Sequence, residues 1–260
     1  MTDIRFVLRS EWIKLWSVRS TWWCLGAAVV LVPVFGVLSA LSTDLAEAAA
    51  LPKAWLVADG GFDPLEPLSG VLLAQFAFGV LGVLTITSEH SSGQIHSSLV
   101  AVPRRRLLLT AKLAVLIAVA TVVASVLTFA TFFLTQAIYG DELGIGPGDG
   151  DAWQALLGII AYTVFITVFG FAVGALIRAT GTAITVFMAT TFVVMSALPA
   201  VFPDSLQEDA VHYTFIGLAQ SLTTLQPDPR PGMLAAALLL AGYAVLALAP
   251  ALLLAERRDT

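Results

Sequence analysis

Long uninterrupted stretches of hydrophobic residues alternate with shorter polar segments along this chain. Six of these stretches contain no Asp, Glu, Lys, Arg or His, and each has about 20 residues or more, the length that an α-helix needs to cross a bilayer. They cover residues 21–41, 68–87, 113–139, 153–177, 182–202 and 233–255. The pattern predicts an all-α membrane protein whose six transmembrane helices form one domain over residues 21–255.

Residues 1–20 precede the first stretch and show a different pattern. Hydrophobic residues recur there at helical spacing, and Glu11 interrupts their face. These residues are Ile4, Val7, Leu8, Trp12 and Leu15. Such spacing predicts an amphipathic helix at the membrane interface. A passive anchor and a mechanical role fit this helix equally well, so both remain open.

The basic residues predict which way the helices face. Six helices place both termini, including the tail 256–260, on one side of the membrane. If that side is the cytoplasm, eleven of the thirteen Lys and Arg residues lie inside, and only Lys53 and Arg230 lie outside. This is the asymmetry of the positive-inside rule. We therefore expect cytoplasmic termini, a retained first helix rather than a cleaved signal peptide, and an outer-face or re-entrant helix at 211–226 rather than a seventh span.

Composition excludes several classes of protein. Hydrophobic residues make up 58% of the chain and the mean hydropathy is +0.90, which excludes a water-soluble domain. The single cysteine excludes a disulfide scaffold, and 18 acidic against 13 basic residues exclude a nucleic-acid binder. No lysine follows a glycine, so the chain has no Gly-Lys-Ser/Thr phosphate loop. We expect no enzyme activity, cofactor or metal, and an energy source outside the chain.

Residues 88–106 form the one long loop on the predicted cytoplasmic side. Its pattern consists of Ser91 and Gln94 at capping-box spacing, Ile95, Leu99 and Val102 on one helical face, and Pro103 as a helix stop. The loop is therefore predicted to contain a short amphipathic helix with an apolar ridge. The bilayer, another loop or a separate soluble protein could cover this ridge, and we favour the separate protein.

The loop and the opening helix together resemble those of type 2 ABC-transporter permeases, the membrane subunits of many drug, antibiotic and polysaccharide exporters. The resemblance rests on the opening segment 10–19 and on Glu89, Gly93, Leu99, Pro103, Arg105 or Arg106, and Lys112. It implies that residues 89–99 form a coupling helix that docks on a separate cytosolic ABC ATPase, which binds ATP and Mg²⁺. The implied partner-binding residues are Glu89, Gly93, Gln94, Ile95, Leu99, Pro103, Arg105 and Arg106.

Polar residues within the predicted helices have two interpretations. They could line a substrate path, or they could bond within their own helices and allow close packing, which we favour for the hydroxyls. The possible path residues are Gln75, Thr121, Ser125, Thr128 and Gln136. Gly170 and Gly174 have the small-xxx-small spacing of closely packed helices, and we expect that packing within one chain.

The six predicted helices, together with the resemblance to type 2 ABC permeases, imply the permease subunit of an ATP-driven ABC exporter. Two copies, or one copy and a related subunit, would form the path, and the ATPase would move them through residues 88–106. Ten arginines against three lysines indicate a bacterial genome, and hence a location in the plasma membrane. The alternative function is a membrane scaffold or assembly factor that recruits a cytosolic partner without moving a substrate.

Overall fold

The regular structure is helical throughout the part of the chain that the computed structural model describes, residues 4–42, 65, 68, 70–93, 105–148, 152–194, 197–223 and 231–257. The α-helices are α1 (Ile4–Ser17), α2 (Arg19–Ser42), α3 (Val71–Ser91), α4 (Arg105–Leu143), α5 (Ala152–Ile177), α6 (Thr180–Met188), α7 (Asp204–His212), α8 (Phe215–Thr223) and α9 (Met233–Arg257). A π-helix, Ala189–Val194, continues α6, and a 3-10 turn, Leu198–Val201, follows it. The predicted all-α fold is confirmed over these residues.

Four of the described helices, α2, α4, α5 and α9, are long and apolar enough to cross a membrane. They correspond to the first, third, fourth and sixth predicted stretches. The second stretch lies in α3, a 21-residue helix whose last turns are polar. The fifth stretch is not one continuous α-helix, because its backbone changes from α to π at Ala189. The six-span count and the direction of the termini therefore stay predictions.

Helix α5 lies at the centre of the fold. In its most apolar window 83% of the residues are buried, against 17% in α9. Helix α3 runs against α5 with glycine at the points of closest approach. A Cβ atom added at Gly82 would lie 2.1 Å from the Thr167 carbonyl oxygen, and one added at Gly170 would lie 2.1 Å from the Gly79 carbonyl oxygen. The two backbones can approach so closely only because these positions lack side chains.

The glycine pair predicted from its spacing lies on this α3–α5 contact. A Cβ atom at Gly174 would lie 2.9 Å from the Val83 carbonyl oxygen, one helical turn from the contact at Gly170. Both glycines therefore serve packing within the chain, as expected.

Helix α4 is longer than the apolar stretch that predicted it. It begins at Arg105, and its one non-helical residue is Gly140, with φ 66°. Helix α1 packs on its first turns, where Val7 contacts Leu108 and Ala111. A helix is therefore present in residues 1–20 as predicted, and α4 covers part of its apolar face, while its place at the membrane interface stays a prediction.

The segment predicted as an outer-face or re-entrant helix contains α8. At nine residues, α8 is too short to be a seventh span. It packs closely on α5, since a Cβ atom at Gly158 would lie 2.2 Å from the Leu222 carbonyl oxygen. Phe215, at the start of α8, makes edge-to-face contacts with Phe165 and Phe169 of α5 at centroid distances of 5.1 Å.

Candidate functional site at the ends of α1, α3 and α4

Four charged side chains from three helices meet at one buried point, which we call the ion cluster. Helix α1 contributes Glu11 and Lys14, α3 contributes Glu89, and α4 contributes Lys112. Glu11, Glu89 and Lys112 are only 2%, 5% and 4% exposed. Charges are rarely buried to this extent unless they are paired, so the arrangement of partners is what makes this cluster possible.

Each lysine of the ion cluster contacts both carboxylates. Lys112 Nζ lies 2.9 Å from Glu89 Oε1 and also donates to Glu11 Oε2. Lys14 Nζ lies 2.6 Å from Glu11 Oε1 and 3.3 Å from Glu89 Oε1. With two cations and two anions, the cluster has no net charge. Burial lowers the pKa of Lys14, but the hydrogen bonds and charges of Glu11 and Glu89 outweigh it, so the pKa is raised.

The helical pattern explains how each residue reaches the cluster. Glu11 lies between Val7 and Leu15 on the buried face of α1, each four residues away. Glu89 lies in the last turn of α3, at the start of the predicted loop 88–106. Lys112 lies near the start of α4, just after that loop. The ion cluster therefore joins the two ends of residues 88–106 to each other and to α1.

The structure describes only part of the predicted partner-binding set. Gly93 follows the α3 C-cap residue Ser92 and has a φ of +71°. A Cβ atom there would meet nothing within 4 Å, so backbone conformation rather than space favours glycine. Arg105 and Arg106 form the start of α4. The remaining predicted residues, Gln94, Ile95, Leu99 and Pro103, lie outside the described residues.

One detail of the loop prediction was wrong. Ser91 was expected to cap the start of the coupling helix, but it is the last residue of α3. Its hydroxyl donates to the Ser88 carbonyl oxygen at 3.0 Å, within its own helix. Helix α3 extends beyond its apolar stretch because the Ser, Glu and His residues that follow residue 87 end the apolar run but are still compatible with an α-helix.

Comparison with protein families identifies the chain. Residues 67–227 match the sequence model of a family described as ABC-2 family transporter protein. The match covers more than half of the chain and includes Glu89 and Lys112. The chain belongs to the ABC-2 transporter family. This family is a membrane component of transport systems, and the match confirms the resemblance to ABC-2 type permeases that the loop predicted. A search of curated proteins found no match.

Among the possible path residues of this ABC-2 permease, Gln75 has the most specific contact. It is 3% exposed, and its Oε1 atom accepts a 2.6 Å hydrogen bond from the Tyr162 hydroxyl. The bond joins α3 to α5, the two helices that pack through glycine. Gln75 therefore has a structural partner, and its role in a path stays a prediction.

The other possible path residues belong to α4. Thr121 and Ser125 donate to the carbonyl oxygens four residues earlier, at 2.8 Å and 2.7 Å. Thr128 is buried. Gln136 Oε1 accepts from the backbone N–H of Ile145 at 2.8 Å and so holds the chain just after α4. The bonds of Thr121 and Ser125 are of the packing type that we favoured, while a path role stays a prediction for all four.

Sequence reasoning missed the contributions of Glu11, Lys14 and Tyr162. The signal for Glu11 was present, because an acidic residue at the centre of an apolar helical face needs a partner. The sequence did not show that the partner, Lys112, lies 101 residues away. Glu11 and Lys14 also precede the region that matches the family, residues 67–227.

Proposed function

We propose that this ABC-2 permease is the membrane subunit of an ATP-driven exporter and that a separate ATPase moves it through residues 88–106. The observation that carries the proposal is the ion cluster. Glu89 and Lys112 lie at opposite ends of that loop and contact each other at 2.9 Å. A force on the loop would therefore reach α3 and α4 together instead of being absorbed at one end.

The packing of α3 supports the next step of the mechanism. Because α3 contacts the central helix α5 through Gly82 and Gly170 without intervening side chains, a displacement of α3 would be passed to α5. We infer that two permease copies, or one copy and a related subunit, form the path in the bacterial plasma membrane, with both termini in the cytoplasm. The basic residues of the loops support this orientation.

The first experiment seeks the ATPase. Full-length tagged protein is purified from its native membranes in mild detergent, and copurifying chains are identified by mass spectrometry. We expect a subunit with a Gly-Lys-Ser/Thr phosphate loop, whose ATP hydrolysis in lipid vesicles depends on the permease. The exporter proposal would be contradicted if no ATPase copurified, or if the copurified ATPase hydrolysed ATP at the same rate with and without the permease.

Two substitutions then test the loop. Leu99→Asp places a charge on the predicted apolar ridge and should abolish ATPase copurification while leaving membrane insertion intact. Ala179→Asp adds the same charge at the exposed N-cap position of α6, outside the loop, where an acidic residue is well tolerated, and serves as the control. Equal copurification of both variants with the ATPase would show that the ridge is not the docking surface.

A labelling experiment tests the orientation. In a Cys24→Ala background, Ser91→Cys provides a single thiol at an exposed position. A membrane-impermeant maleimide should label it in inside-out vesicles but not in intact cells. Labelling in intact cells would place the loop outside and refute the proposed mechanism.

A further inference from the structure

The ion cluster bears on the two roles that the sequence leaves open for α1. We propose that α1 is a positioning element that holds both ends of the loop 88–106 through Glu11 and Lys14. The consequence for transport rests on the proposed function, whereas the positioning itself rests on the geometry alone.

The charges of α1 match those at the loop ends in a specific order. Glu11 contacts Lys112, at the downstream end of the loop, and Lys14 contacts Glu89, at the upstream end. The two α1 residues are three positions apart, on adjacent turns of one helical face. If α1 were to rotate about its axis, both contacts would be lost together. The pairing therefore specifies one orientation of α1 relative to α3 and α4.

A passive anchor does not account for this arrangement. An anchor needs an apolar face toward the lipid and charged residues toward water. In α1 the carboxylate of Glu11 is at the centre of the buried face instead, and it loses hydration that only its partners can replace. Buried ion pairs add little net stability compared with apolar residues, but in some proteins they specify a unique geometry. We assign that role to Glu11 and Lys14.

Contacts on either side of the ion cluster fix the rest of α1. Val7 packs with Leu108 of α4, and Leu15 packs in a core cluster with Leu25 of α2 and Leu116 of α4. The Trp22 indole N–H donates to the Trp16 carbonyl oxygen at 3.1 Å. Apolar contacts can therefore keep α1 folded onto α2 and α4 when the charges are removed, which makes the positioning role separable from folding.

The test removes only the two charges that α1 contributes to the ion cluster. The double variant Glu11→Met and Lys14→Met keeps the net charge and leaves the pair Lys112–Glu89 intact. Spin labels are attached to Ser10→Cys on α1 and Ser91→Cys on α3, both exposed positions, in a Cys24→Ala background. The distance distribution between the labels is measured by pulsed electron paramagnetic resonance on the full chain in lipid nanodiscs, without ATPase or nucleotide.

We expect one narrow distance peak in the parent protein and a broad distribution in the double variant. Arg9→Met is the matched control, because it removes a charge from the exposed face of α1, two residues from Glu11, and should leave the peak narrow. An unchanged narrow peak in the double variant would overturn the proposal. If that variant fails to accumulate, Glu11→Gln with Lys14→Gln replaces it, since this pair also removes both charges but keeps polar side chains at the cluster, and an unchanged peak again overturns the proposal.

A second measurement separates this inference from the proposed function. With the copurified ATPase in vesicles, the double variant should retain ATPase binding but lose the permease-dependent part of ATP hydrolysis. If the distance peak broadens but no ATPase copurifies, the positioning role is supported and the exporter proposal is refuted. A broadened peak with full permease-dependent hydrolysis would support the positioning role but would show that α1 does not act in coupling, which would overturn its consequence for transport.

Discussion

The contact between α3 and α5 predicts that Gly170→Ala destabilises the permease although alanine is the better helix former. The added Cβ atom would lie 2.1 Å from the Gly79 carbonyl oxygen, whereas an ordinary contact begins at 3.4 Å. Gly82 meets the Thr167 carbonyl oxygen at the same 2.1 Å on the same pair of helices. Both obstacles are backbone atoms, so no side chain can rotate away, and the helices must separate.

The magnitude follows from two opposing terms. Overpacking of a close-packed interior costs up to about 3 kcal/mol, and the backbone clash places Gly170→Ala at the upper end of that range. The better helix propensity of alanine returns about 1 kcal/mol. The net loss of stability is therefore about 2 kcal/mol. Combining the variant with Gly82→Ala should cost less than the sum, because one separation of α3 from α5 relieves both clashes.

The assay compares thermal unfolding of purified variants in detergent, followed by size-exclusion chromatography. Gly26→Ala is the control, because Gly26 lies inside α2 with no atom within 4 Å of an added Cβ. The same chemical change should there be neutral or stabilising by up to about 1 kcal/mol. If Gly170→Ala unfolds at the same temperature as Gly26→Ala, the helices do not touch as described.

Three further predictions follow from the polar contacts. Lys112→Met removes the more deeply buried of the two lysines that both carboxylates share and should cost about 3–5 kcal/mol, measured as thermal stability against Arg9→Met. Gly93→Val should destabilise the end of α3 by about 1–2 kcal/mol, because Gly93 has a positive φ. Gly93→Asn should cost less, because asparagine tolerates positive φ, and the rate of proteolysis in the adjoining loop measures the difference between the two variants. Tyr162→Phe should cost about 1 kcal/mol in thermal stability and lose this effect when Gln75 is already leucine.

The positions of the long helices were readable from the sequence because hydrophobicity alone determines them. The stretches 21–41, 153–177 and 233–255 appear as Arg19–Ser42, Ala152–Ile177 and Met233–Arg257, with ends that differ by at most two residues. Such runs have no alternative to helix in a membrane, since every backbone group must be satisfied within its own segment.

Hydrophobicity predicts helix boundaries and helix type less well where a helix extends beyond its apolar stretch or changes from α to π. Helix α4 starts at Arg105 and not at residue 113, because arginine and lysine end an apolar run but favour a helix. The change to π-helix at Ala189 has no signal in an apolar run, whose composition suits both helix types. Helix length and helix type therefore required the structure.

The candidate site was half predictable. Glu89 and Lys112 were singled out because they belong to the run of residues that resembles the loop of type 2 ABC-transporter permeases, and the structure brings them together. Their partners on α1 could not be assigned, because pairing across 101 residues depends on how helices pack and not on local spacing. The acidic residue on an apolar face indicated that a partner exists without indicating which one.

The length of α4 has a consequence for how motion crosses the membrane. Its segment Leu107–Gly140 has 34 residues, or about 51 Å at 1.5 Å per residue, whereas the hydrocarbon layer is about 30 Å thick. No proline interrupts it. If a straight helix that is longer than the hydrocarbon layer tilts about a point within the lipid, its two ends move in opposite directions. A displacement at one end of α4 would therefore reach the opposite side of the membrane without a hinge in the helix.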